Sequence, residues 1–180
     1  MNKDFTLEQE KEYFLKNQFW AATISASFAR AKVYTSESGV KITDNQKNDF
    51  KKALFKCVEG LVETEYLNRN INEVEHIKNI QKLQECVNAE HISILPEKGL
   101  KFGVAQKLLN LYLKYLWCSN KLKYSPPHFP LDRLIQENNV RVNWTDLKCD
   151  EKKYSEVIND LCKGEGKAEW ELVKYNSFLR

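Results

Sequence analysis

The residues best suited to chemistry in this sequence are a lysine and an aspartate in its middle part. Lys107 lies in a strongly helical stretch, and Asp132 is the only carboxylate between Lys98 and Gln136. A carboxylate in a lysine-rich setting stays ionised and can stabilise positive charge that develops in a transition state. A lysine amine can attack an electrophilic carbon when its own pKa is lowered. Lys107 and Asp132 are therefore the candidate catalytic residues.

The charges around these two residues are unevenly distributed. The chain holds 28 Lys and Arg against 25 Asp and Glu, a net charge of +3. From Lys98 to Leu131 there are six lysines and no acidic residue, so the rest of the chain is acidic. Such a basic block predicts contact with nucleic-acid phosphates, and the alternative is a lysine face that is only solvated. The candidate DNA-binding residues are Lys98, Gly99, Lys101, Gly103, Lys114, Lys121 and Lys123.

Two short motifs in this region resemble the helix-hairpin-helix DNA glycosylase superfamily, and the 8-oxoguanine glycosylases within it. The stretch Gly103–Lys107 (Gly-Val-Ala-Gln-Lys) is similar to the hairpin turn that precedes the lysine of that family. Pro130-Leu131-Asp132 is similar to the setting of its aspartate. The chain departs from the family at Ala105, where the second hairpin glycine would stand. The resemblance implies a hairpin and catalytic segment over residues 95–137.

This resemblance implies that the chain excises a damaged or chemically modified base from double-stranded DNA. The role would be DNA repair or defence against foreign DNA. Asp132 would stabilise the sugar cation, and the attacking group would be Lys107 or, as the spacing favours, a water molecule. A flipped base needs aromatic side chains on which to stack. The candidates for that base pocket are Trp20, Tyr112, Tyr115, Trp117 and Trp144. No metal and no cofactor is expected.

Two other functions fit parts of the sequence. Arg69 and His76 are similar to the Arg-polar-x-His motif of the HEPN ribonucleases, in which the histidine is an acid/base and the arginine stabilises phosphate. In the alternative interpretation His76 has no catalytic role and is a partly exposed helix residue. The third possibility is a helical protein that binds a partner without catalysis, and no motif points to it.

The elements that must position these residues are predicted to be helices. Thr6 with Gln9 and Thr43 with Gln46 are capping boxes, and Asn72 with Glu75 begins a third helix. The first helix is expected to reach about Tyr34 and the second about Leu67. Further helices are predicted over 103–118, from Pro130 to about Glu137, near 151–163 and over 167–178. The prediction is one compact all-α domain over residues 1–180, with a degenerate helix-hairpin-helix element.

Composition excludes several classes of protein. A hydrophobic fraction of 42% argues against disorder, and only six Gly and four Pro argue against a turn-rich β fold. The sequence has no apolar run of membrane-spanning length and begins with a polar segment, so a cytoplasmic location is expected. The five cysteines are widely spaced, which predicts free thiols in a reducing compartment rather than a metal knuckle or disulfides. The oligomeric state is left open.

Overall fold

Three capping boxes fix where the first three helices begin. The computed structural model describes residues 5–35, 41–96, 99–136, 142–147 and 151–180. The side chains of Thr6, Thr43 and Asn72 each accept a hydrogen bond from the backbone N–H three residues later. The side chain of that later residue in turn accepts a hydrogen bond from the backbone N–H of Thr6, Thr43 or Asn72. These reciprocal bonds satisfy backbone N–H groups that a helix start leaves without partners. The predicted starts are therefore confirmed.

The described residues form six α-helices and no strand. Helix α1 spans Leu7–Phe28, and α2 spans Asp44–Leu61 and continues into a π-helical turn over Val62–Tyr66. The remaining helices and short 3₁₀ turns are α3 (Glu73–His91), Ile92–Ile94, α4 (Phe102–Cys118), Trp144–Asp146, α5 (Glu151–Cys162) and α6 (Lys167–Ser177). The all-α prediction is confirmed. None of the described helices has the length and apolar character that crossing a membrane requires.

Helix α4 is the central element of the fold. It packs against α1 on one side, against α3 on another, and under the turn Trp144–Asp146 near its start. Every residue from Phe102 to Asn110 is buried, including the polar Gln106 and the charged Lys107. A helix surrounded in this way must be apolar on most of its circumference, which explains the run of Leu, Val and Phe in this segment. The polar residues within it need buried partners.

The predicted end of the first helix and the helix predicted from Pro130 are both wrong. Helix α1 ends at Phe28, because the chain from Ala29 turns away toward the core position of Val33. The helix predicted from Pro130 is absent: residues 129–136 form an irregular segment with one turn after Asp132. The favourable first-turn proline is outweighed here because the Leu131 backbone bonds to a side chain of α4 instead of entering a helix. The predicted end of that helix, at Glu137, lies outside the described residues.

The two glycines of the predicted hairpin segment lie at the start of α4 and shortly before it. Gly103 is inside the first turn of α4, and the Gly99 N–H donates to the Pro96 carbonyl at 2.6 Å. Gly99 has a φ of +74°, a conformation that glycine adopts without strain. Both glycines are buried, so neither presents an open backbone cradle to a phosphate. Gly103 lies within α4, where its lack of a side chain allows close helix packing.

A disulfide joins Cys57 of α2 to Cys86 of α3, with a Cα–Cα distance of 6.3 Å. The expectation of free thiols is wrong for this pair, since helix packing brings together cysteines that are 29 residues apart in the sequence. Cys118 is exposed and Cys162 is buried, and both are free; Cys149 lies outside the described residues. Structural disulfides are typical of oxidising environments. A cytoplasmic location is therefore still only a prediction.

We expect reduction of this disulfide to destabilise the protein. A crosslink that closes a loop of this size restricts the unfolded chain and contributes about 3–4 kcal/mol to the free energy of unfolding. Urea unfolding with and without dithiothreitol measures the effect, and non-reducing peptide mapping identifies the Cys57–Cys86 link. Cys118→Ser is the control and should behave as the wild type in both conditions. Equal stability of the oxidised and reduced proteins would contradict the prediction.

Candidate active site

Lys107 and Asp132 form an ion pair, with 3.0 Å between the lysine Nζ and the aspartate Oδ2. The lysine side chain is 9% exposed and the aspartate side chain 27% exposed, so only the carboxylate reaches solvent to any extent. The other carboxylate oxygen accepts hydrogen bonds from the backbone N–H groups of Leu134, at 2.8 Å, and Ile135, at 3.3 Å. The sequence predicted both residues, and the structure brings them into contact.

The neighbour of Lys107 on α4 holds the aspartate segment in place. The Gln106 side-chain nitrogen donates to the Leu131 carbonyl at 2.8 Å, and its oxygen accepts from the Leu131 N–H at 3.2 Å. This paired contact fixes the residue directly before Asp132. The Gln136 side chain donates to the Asp132 carbonyl at 3.0 Å and accepts from the Val142 N–H at 2.7 Å. Gln106 and Gln136 are positioning residues that the sequence analysis missed.

Trp144 covers the ammonium of Lys107. The lysine Nζ lies 4.7 Å from the centre of the Trp144 ring, within the range of a cation–π interaction. The tryptophan reaches this place because Gly103 has no side chain: a Cβ there would lie 1.6 Å from the Trp144 carbonyl oxygen. Close contact between α4 and the turn Trp144–Asp146 thus requires glycine at position 103. Gly103 serves packing, where the sequence had predicted contact with DNA.

A cavity of about 420 Å³ lies beside the ion pair. Its lining includes Arg133, which follows Asp132 in the chain, and Trp144, which contacts Lys107. The other described residues that line it are Arg30, Gln136, Val142, Asn143 and Thr145. Among the described residues no cluster of His, Cys, Asp or Glu has the arrangement of a metal site. The site therefore offers a partly exposed carboxylate, a buried ammonium and a neighbouring cavity whose lining is both polar and apolar.

The predicted basic block is largely neutralised by acids from other parts of the chain. Lys114 contacts both carboxylate oxygens of Glu171, at 2.7 and 2.9 Å, and burial is what raises the pKa of that glutamate. Lys121 pairs with Glu12 at 2.5 Å, and its hydrogen bond lowers the pKa of Glu12. Together with Lys107, at least three of the five lysines of this block that the structure describes have an acidic partner. Residues 98–131 contain no acidic residue, but the fold brings acidic side chains from other parts of the chain next to these lysines.

The other candidate DNA-binding residues differ in their exposure. Lys101 is exposed at the start of α4, and Lys123 is exposed and lies over the ring of Tyr124. Lys98 lies outside the described residues. Gly99 is buried and packs against the Asn88 side chain, which accepts from the Leu100 N–H at 2.8 Å. Contact of Lys101 and Lys123 with DNA stays a prediction.

The predicted aromatic pocket is divided between different parts of the protein. Trp20 packs on Phe55 and Tyr112 between α1, α2 and α4, with ring centres 4.8 and 6.1 Å away. Tyr115 stacks on Phe19 at 5.4 Å, and Trp117 is partly buried against the core. Only Trp144 lines the cavity beside the ion pair. The prediction of one pocket is wrong because four of these rings fill helix interfaces.

Arg69 and His76 are not brought together as a ribonuclease pair. Arg69 is about half exposed and pairs with Glu65 and Glu75. His76 is fully buried, where its Nδ1 lies 2.8 Å from the Tyr66 hydroxyl and its Nε2 lies 2.8 Å from the side-chain Oδ1 of Asn110. The prediction of a partly exposed histidine is wrong. In this conformation His76 cannot reach a substrate.

His76 belongs to a buried polar network that sequence analysis did not find. Asn110 also donates to the Tyr154 hydroxyl at 3.1 Å and to the Gln106 side chain at 3.3 Å, so the network runs from α3 through α4 to α5. The His128 ring lies 5.0 Å from that of His76. Burial lowers the pKa of both histidines and raises that of Tyr154. Gln106 and Asn110, one turn apart on an otherwise apolar helix, were the available signal.

The network and the ion pair are adjacent, since Gln106 contacts the network through Asn110 and the aspartate segment through Leu131.

A comparison of the chain with protein-family models, curated proteins and solved structures finds no match.

Stability is expected to fall as the pH drops from about 7.5 to about 5.5. In the native protein burial lowers the pKa of His76 and His128 and so disfavours their protonation, whereas the unfolded chain protonates them below the ordinary histidine pKa of 6.5. Below that value each such histidine lowers the free energy of unfolding by up to about 1.4 kcal/mol per pH unit. The pKa of Glu73 is lowered to about 2, chiefly by its hydrogen bond with His128. The stabilisation that ionised Glu73 contributes is therefore lost only at more acidic pH.

Urea unfolding at several pH values measures this slope, and His76→Gln should reduce it by removing one of the two titrating groups. Glu171, whose pKa is raised by burial, acts in the opposite direction in both proteins, so the comparison isolates the histidine. The same slope in the variant and the wild type would contradict the assignment.

Proposed function

We propose that this protein is a DNA N-glycosylase that removes a damaged or chemically modified base from double-stranded DNA. The observation that carries the proposal is the 3.0 Å contact between Lys107 and Asp132, the two residues that the sequence motifs select. The adjoining cavity offers space for part of a flipped nucleotide. Repair of the cell's own DNA and attack on foreign DNA are both compatible with this activity.

In the proposed reaction Asp132 acts on the sugar. Breaking the N-glycosidic bond leaves the bonding electron pair on the departing base and positive charge on the sugar. A carboxylate held at this point by two backbone N–H groups stabilises that charge without having to reorganise. A water molecule then forms the new bond to the sugar carbon and gives up its proton, and the base takes up a proton as it leaves.

Lys107 holds the carboxylate in position in this proposal. Its ammonium is engaged by Asp132 and covered by Trp144, so the amine is not presented as a free nucleophile. Attack by Lys107 on the sugar would require breaking the ion pair and losing a proton. The geometry therefore favours hydrolysis by water, which leaves an intact strand carrying an abasic site. A Schiff-base intermediate is the competing mechanism.

Asp132→Asn should abolish most base excision while leaving the fold intact. Removing a major electrostatic group of this kind costs about 2–4 kcal/mol in the transition state, a rate loss of roughly 30- to 1,000-fold. The measurement incubates protein with duplexes that each carry one oxidised, alkylated or deaminated base, and detects abasic sites by alkaline cleavage. Asp44→Asn, the same change in an exposed ion pair of α2, is the matched control. Wild-type excision by Asp132→Asn would overturn the role of Asp132.

Borohydride trapping distinguishes the two mechanisms. We expect no covalent protein–DNA adduct with the wild-type protein, and a smaller rate loss for Lys107→Gln than for Asp132→Asn, because glutamine can still donate to the carboxylate. Lys47→Gln, in the exposed ion pair with Asp44, is the control. A trapped adduct that disappears in Lys107→Gln would show that the lysine is the nucleophile. Cleavage of RNA in parallel reactions, without base excision, would favour the ribonuclease alternative.

A further inference from the structure

Two arginines from distant parts of the sequence line the cavity beside the ion pair. Arg30 follows the end of α1, and Arg133 comes directly after Asp132. Both side chains belong to exposed residues, and both reach the lining of the same cavity of about 420 Å³. No acidic residue is among the described residues of that lining. The cavity therefore carries two positive charges at its surface.

These arginines differ from the predicted lysines in their ion pairing. Lys114 and Lys121 are each held by a glutamate, and Arg69 is held by two. Over the described ranges, no salt bridge engages Arg30 or Arg133. A guanidinium without a carboxylate partner presents a planar set of N–H donors that matches the oxygens of a phosphate. This pair is consequently better suited to bind DNA than the lysine block is.

The arginines lie near the ion pair, which indicates that they would contact the phosphates next to a nucleotide bound at Asp132. Arg133 is adjacent in the chain to Asp132, and Trp144 lines the cavity while it contacts Lys107. A nucleotide whose sugar lies at Asp132 has its flanking phosphates within a few ångströms of that sugar. The cavity lining also contains the polar side chains of Asn143 and Thr145, the latter donating to the former at 2.8 Å.

We infer that Arg30 and Arg133 form a clamp that binds the phosphodiester groups flanking the nucleotide at Asp132. This inference rests on the proposed function for the location of the sugar, but its test does not depend on catalysis. It replaces the lysine block by two arginines as the DNA contact. The ligand class is the DNA backbone, so the clamp should bind without base preference and with a strong dependence on salt.

The test measures binding of a fluorescent duplex carrying a non-hydrolysable abasic analogue, by anisotropy over a range of salt concentrations. Arg30→Gln and Arg133→Gln should each weaken binding by roughly tenfold, as loss of a charged hydrogen bond does. Each should also reduce the slope of log K against log salt by about 0.9. Both residues are exposed, so the variants should keep the wild-type melting temperature.

Arg69→Gln and Lys11→Gln are the matched controls, because each removes one exposed positive charge that already has an acidic partner. Both should bind as the wild type does. Equal weakening by the controls and the clamp variants, an unchanged salt slope, or no binding of DNA by the wild type would each overturn the inference.

The binding and excision assays separate the two proposals. Excision by the wild-type protein with the same half-saturating DNA concentration in the clamp variants would reject the clamp and leave the glycosylase proposal standing. Weakened, less salt-dependent binding in the clamp variants, with no base excised from any duplex, would support the clamp and reject the glycosylase proposal.

Discussion

The paired hydrogen bonds between the Gln106 side chain and the Leu131 backbone connect the scaffold to the candidate site. Helix α4 is packed on most of its circumference, so a polar side chain within it is stable only where it finds partners. Gln106 satisfies both backbone groups of Leu131 and receives a bond from Asn110. The segment that carries Asp132 is thus held against the helix that carries Lys107. Loss of Gln106 would leave four buried polar groups without this partner, because its side chain also donates to the Gly103 carbonyl.

The buried network has a similar organising effect on the rest of the core. Tyr66, His76, Asn110 and Tyr154 come from four separate segments, and their hydrogen bonds fix how those segments pack. The π-helical turn that ends with Tyr66 brings its hydroxyl to His76 and Asn79. Networks of this kind define one arrangement of the helices, because any shift leaves polar atoms buried and unpaired. The network begins one residue away from Lys107, so the rigidity of the core extends to the site.

Local patterns in the sequence predicted the local features well. The capping boxes at Thr6, Thr43 and Asn72, the helix after Lys101 and the last two helices all follow from short-range rules. The sequence motifs selected Lys107 and Asp132, but the ion pair between them was not predicted, since no short-range rule relates residues so far apart. The capping-box and helix predictions succeeded because their physical cause lies within one or two helical turns of each residue.

The failures concern partners that the fold supplies from a distance. Glu171 and Glu12 neutralise lysines that are far from them in the sequence, and Cys57 meets Cys86 only after α2 and α3 pack. The helix expected after Pro130 is replaced by bonds from α4, and the burial of His76 depends on residues from other helices. A charge count along the chain cannot show which charges will be paired, so it identified the lysine block and gave no weight to Arg30 and Arg133, which line one cavity.

The contact between Gly103 and the Trp144 carbonyl makes two distant segments of the chain dependent on each other. The space occupied by that carbonyl is the space in which any other residue would place its Cβ. A larger residue at position 103 would displace the turn Trp144–Asp146, and with it the aromatic cover of Lys107 and one wall of the cavity. The shape of the cavity therefore depends on both segments together. The turn can be replaced or lengthened only in a form that still fits against a glycine on α4.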